Sequence, residues 1–162
     1  MNHVSGWKAV AEYYGLHTQL IKLCEEIGEL IAANEMFTVG AADHSAVITE
    51  IADVFALSEQ VDYLLGDRTG ELEDLIERDM PAAIPLDFAF CGACAVTSAA
   101  RMANYDMERK TLLEPLSRLL ASLWTYCRIE HCEQAVRNEK TRKLKRQQQR
   151  IRKEREHANQ NK

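Results

Sequence analysis

Two short acidic clusters carry the residue types and spacing for chemistry: Glu25-Glu26-Ile27-Gly28-Glu29 and Glu50-Ile51-Ala52-Asp53, each set inside an apolar repeat. Helical residues three apart are neighbours, so Glu26 with Glu29, and Glu50 with Asp53, each project to one side of a helix. At 100° per residue, with Ile27 at the centre of the first apolar stripe, Glu26 lies at about −100° and Glu29 at about −160°. With Ile51 at the centre of the second, Glu50 and Asp53 fall at the same two angles. The point equally far from the two pairs, between Val39 and Gly40, also falls within the connecting segment "TVGAADH". If the two helices pack antiparallel, as a short connection favours, all four carboxylates reach one level and face one groove.

Two carboxylates about 5 Å apart repel by roughly 3 kcal/mol at an effective dielectric of about 20. Four together are tolerable only if protonated, splayed into water or neutralised by cations. An oxygen-only ligand set suits Mg²⁺, with Mn²⁺ as a substitute, rather than zinc. A di-iron bundle needs Glu-x-x-His, which neither pair supplies; Glu154 and His157 have that spacing but stand in the polar tail. The competing reading is a solvated acidic face, on which Lys22, one turn before Glu26, pairs with it. Geometry alone leaves both open.

The elements that must hold these residues are helical. Leu20, Leu23, Cys24, Ile27, Leu30 and Ile31 recur at three- and four-residue steps and predict a helix over 17–36. Val47, Ile48, Ile51, Val54, Phe55 and Val61 predict another over 45–65, with Asp43 as its N-cap. A short first helix is expected over 4–14, stopped by Gly15, and a short acidic helix ended by Pro81 and Pro85. Helices are also expected over 91–104 and 107–127, the latter with its true first turn near Glu114 because of Pro115. From 129 to 157 the chain can stay helical but loses its apolar face, so this end reads as a solvated tail.

Length and composition agree with one all-α domain. The chain has 162 residues, 46% of them hydrophobic, with only 3 Pro and 7 Gly. No apolar run approaches the ~20 residues a membrane span needs, and no export signal is evident at the N-terminus. The expected setting is cytoplasmic, without a membrane partner. Residues 1–136 carry 9 Lys/Arg against 22 Asp/Glu, a net −13, while residues 137–162 carry 11 against 3, a net +8. That split divides the chain into an acidic helical domain, 1–136, and a basic polar helix or tail, 137–162. The five cysteines are expected to be reduced; Cys91 and Cys94, with Cys127, His131 and Cys132, lack the spacing of a zinc module.

"KLCEEIGELIAA" followed by "TEIADVFALSEQV" resembles the MazG-like members of the all-α nucleoside triphosphate pyrophosphohydrolase superfamily, which also holds dimeric dUTPases and phosphoribosyl-ATP pyrophosphohydrolases. The hallmark there is EExxE, a spacer, then ExxD on two antiparallel helices; here 20 residues separate Glu29 from Glu50. The similarity covers about residues 16–65. It implies a bundle of antiparallel helical hairpins whose four-helix core is completed by oligomerisation, as a homodimer or homotetramer. It also implies Glu26, Glu29, Glu50 and Asp53 as Mg²⁺ ligands and Glu25 as the base that activates water. The implied reaction splits a (deoxy)nucleoside triphosphate into the monophosphate and pyrophosphate.

Such a site needs positive groups for the outer phosphates, and Lys22, Arg137 and Lys140 are the candidates. Trp7, Trp124 and Tyr126 offer rings for stacking on a base, with core packing as the plainer alternative. A different class of function is a non-catalytic helical binding module whose basic tail contacts nucleic acid or a partner protein. The tail has the charge for phosphate contacts but little aromatic interleaving, so nucleic acid is the less favoured partner.

Overall fold

The computed structural model describes residues 6–66, 71–84 and 88–160. Among them are α1 (Gly6–Thr38), α2 (His44–Leu64), α3 (Glu71–Asp79), α4 (Phe88–Asn104), α5 (Lys110–Ile129) and α6 (Glu133–Gln160), with one 3₁₀ turn at Met80–Ala82 and no strand. The expected all-α bundle is what the chain forms. No helix among the described residues is long and apolar enough to cross a membrane.

The apolar repeats explain the packing. Leu20, Leu23, Ile27 and Leu30 of α1 are buried against Val47, Ile51, Val54 and Val61 of α2, so the two helices zip along their full stripes. Phe88, Ala95 and Ala99 of α4, and Leu112, Leu116, Leu119 and Leu123 of α5, belong to the same core cluster. Four helices of one chain therefore enclose a common interior. The expected antiparallel hairpin is fixed in register by Gln19, whose Nε2 donates to Gln60 Oε1 at 2.8 Å in a fully buried pair. Gly92 sets how closely α4 lies on α1: a Cβ there would meet Ile27 Cγ2 at 3.0 Å and Ile31 Cδ1 at 3.1 Å.

Several expectations about element ends change. The stop at Gly15 is a bend inside α1: its φ of 76° and ψ of 165° break the helical path, and the chain then resumes as helix. Asp43 has the extended backbone of an N-cap but makes no side-chain cap bond. In α5 the first turn begins at Lys110, not Glu114, leaving Pro115 inside the helix. Leu112 and Leu113 are fully buried, and that burial holds the turn ahead of the proline in helical form. Pro81 falls in the 3₁₀ turn that ends α3, whereas Pro85, like Val4, lies outside the described residues. Arg109, just before α5, is paired with Asp62 at 2.6 Å and reaches the Leu65 carbonyl at 3.3 Å, tying the end of α2 to the start of α5.

The largest departure is α6. It is one continuous helix packed on α2 and α1, and the compositional boundary at 136/137 falls inside it. Val136 and Ile151 are buried and Leu144 is half-buried. Tyr13 on α1 donates to Glu154 at 2.8 Å.

Candidate metal centre

α1 presents Glu25, Glu26 and Glu29 beside its buried stripe, and α2 presents Glu50 and Asp53 beside its own. Ligand oxygens of Glu26, Glu29 and Glu50 all lie within 4.8 Å of one another. Glu26 is buried, Glu50 half-buried and Glu29 exposed, so the cluster opens from the helix seam to solvent. Burial raises the Glu50 carboxyl above its usual range; Lys143 pulls it down, while Glu26 and Glu29 push it further up. Burial and then the neighbouring Glu26 raise Glu29 as well. Burial is the leading cause of both shifts, and the neighbouring carboxylates of like sign add to it.

Glu50 Oε2 is buried with no hydrogen-bond partner. A buried carboxylate oxygen without a donor costs free energy that a cation in contact would recover. The three converging residues supply only hard oxygen donors, a set that fits Mg²⁺ or Mn²⁺ and not a thiolate- or imidazole-seeking ion. The residues present thus fit a divalent cation at the seam between α1 and α2.

The other expected residues divide. Asp53 makes an ion pair with Lys143 of α6, so three of the four expected ligands converge and the fourth is engaged elsewhere. Glu25 is outside the cluster and half-exposed, bonded to Lys22 at 2.9 Å. Lys22 also holds Glu26, at 2.8 Å, which places it at the centre's edge. Arg137 and Lys140 are not at the centre. Arg137 lies over the Trp124 ring, 5.9 Å from its centroid, and Lys140 pairs with Glu59.

The aromatic candidates pack internally. Trp124 meets Phe55 with ring centroids 4.7 Å apart, Trp7 meets Tyr63 at 5.5 Å, and buried Tyr126 bonds His44 Nε2 at 2.9 Å. Cys91 and Cys94 sit in the first turns of α4, Cys94 exposed; Cys127 and Cys132 are buried at the α5–α6 junction, and no disulfide joins any of the five. Burial drives the Cys127 thiol far above its ordinary value, so it is held as an unreactive apolar group.

Sequence reasoning missed Lys143. Its Nζ reaches Asp53 and the Thr49 carbonyl, the latter at 3.2 Å, and its side chain is only 17% exposed. Burial lowers its pKa, against the upward pull of Glu50, Glu26 and Glu29. The available signal was the apolar spacing of Val136, Leu144 and Ile151, eight and then seven residues apart, which seats one side of α6 on the bundle. In comparisons with known proteins, no family model, curated protein or solved structure matches this chain.

Proposed function

We propose that the chain is a Mg²⁺-dependent nucleoside triphosphate pyrophosphohydrolase. The observation that carries this reading is the convergence of Glu26, Glu29 and Glu50, with one buried Glu50 oxygen left without a hydrogen-bond partner. The resemblance of Glu25–Glu29 and Glu50–Asp53 to the MazG-like hallmark supports the reaction class. Bound Mg²⁺ would offset the charge of the triphosphate and polarise water near the phosphorus. Glu26, Glu29 and Glu50 would hold the cation, joined by Asp53 once Lys143 releases it. Glu25, exposed and bonded to Lys22 at 2.9 Å, would be the group that accepts the proton from the attacking water. The water oxygen bonds to the α-phosphorus, the bond from that phosphorus to the bridging oxygen breaks, and its electron pair leaves on pyrophosphate.

Purified protein with Mg²⁺ should release pyrophosphate from at least one member of a panel of ribo- and deoxyribonucleoside triphosphates. Glu50→Gln should lower the rate by about a hundredfold or more, with the helical circular dichroism unchanged. A wild-type protein that turns over no nucleotide in Mg²⁺ or Mn²⁺ ends this reading. One observation favours the non-catalytic alternative: Glu26 and Asp53 already have lysine partners. Absent turnover, together with steeply salt-dependent nucleic-acid binding, would establish that alternative.

A further inference from the structure

The cations around the acidic centre are unevenly committed. Lys22 is held by Glu25 and Glu26, and Lys143 by Asp53. Past Lys143, α6 continues with Arg146 and Arg150 on neighbouring positions of the same side. Both are exposed; Arg150 bonds Glu154 at 2.9 Å, and Arg146 makes no ion pair among the described residues. Asp53, Lys143, Arg146, Gln147 and Arg150 line one cleft of about 380 Å³. A second, of about 210 Å³, shares Gln147 and Arg150 and reaches Lys22 and Tyr14 on α1. A cationic trough therefore starts at the edge of the carboxylate cluster and follows α6 for two turns, roughly 10 Å.

We propose that Lys143, Arg146 and Arg150 form the subsite for the outer phosphates of a triphosphate chain, an assignment that rests on the pyrophosphohydrolase reading above. Guanidinium and ammonium groups bind phosphate oxygens through charge-assisted hydrogen bonds, and these three succeed one another along the trough. Lys143 has two roles in sequence. It neutralises Asp53 when no cation is bound, and it turns to phosphate when a divalent ion takes over that carboxylate. A short phosphate chain suits a trough that begins at Asp53. A nucleic-acid backbone laid along α6 would run on over a body whose first 136 residues carry −13.

The test uses the full chain, with inorganic tripolyphosphate in Mg²⁺ as the binding probe. Arg146→Ala and Arg150→Ala should each weaken tripolyphosphate by about tenfold and raise the KM for the nucleotide by a similar factor, with kcat within about threefold. Lys143→Met should split the two ligands: tripolyphosphate binds more weakly, while Mn²⁺, followed by electron paramagnetic resonance, binds more tightly because Asp53 is released. Folded arginine variants that bind tripolyphosphate as well as wild type overturn the assignment, and the enzymatic reading survives if nucleotide is still hydrolysed. Arginine-dependent tripolyphosphate binding without any nucleotide turnover sinks the enzymatic reading instead and leaves the anion subsite standing. Loss of single-stranded DNA binding in these variants, with tripolyphosphate unaffected, would overturn the assignment and give α6 to nucleic acid.

Discussion

Glu50 and Lys143 meet one problem from opposite sides, a like-charged cluster at the edge of an apolar core. Glu50 exposes the shortfall, with one oxygen buried and unbonded, and Lys143 supplies part of the missing charge through Asp53. The carboxylates were legible in the sequence because position along a helix fixes both angle and height. Lys143 was not, because it stands in a run of lysines and arginines where only tertiary packing separates an inward side chain from a solvated one. Asp79 gives a test of pH dependence away from the centre. Burial raises its carboxyl, but bonds from Arg78 at 2.9 Å and Ser117 at 2.6 Å outweigh this and hold it below its ordinary value. A depressed folded-state pKa stabilises the fold above the unfolded value of about 4 and ceases to do so as pH falls through the folded value. Urea titrations of wild type and Asp79→Asn should therefore differ by about 1 kcal/mol at neutral pH and converge below the ordinary carboxylate range. A difference that persists undiminished in acid would assign the effect to packing.

At the scale of elements, the approach of α4 to α1 depends on the missing side chain of Gly92, which faces Ile27 between Glu26 and Gly28. Gly92→Leu should force the two helices apart and destabilise the fold by about 1–3 kcal/mol, measured as a lower urea midpoint. Because Ile27 lies between two cluster carboxylates, the same variant should also bind Mn²⁺ more weakly. Unchanged stability would show that α4 is not seated as described. The α1–α2 hairpin could be read from Leu20 through Val61 because each helix buries a full stripe. The start of α5 could not, since Pro115 signals a first turn locally and the burial of Leu112 and Leu113 is a tertiary matter. α6 was hidden for the same reason: three apolar residues at long spacing suffice to dock a helix whose remaining surface is polar.

Across the whole molecule, the acidic and basic segments recognised from composition are a bundle and the helix that crosses it. The four-helix interior closes within one chain, so the thermal unfolding midpoint should not rise with protein concentration over a hundredfold range. A rising midpoint would show that a second copy contributes to the folded state. The contact between Thr49 and Lys143 joins residues 94 positions apart. At about 5–20 residues per second, a ribosome delivers that ammonium group roughly 5–20 s after the carboxylates it serves. Through that interval Lys22 already serves Glu25 and Glu26 within the hairpin, whereas Asp53 waits for the late helix to bring its lysine.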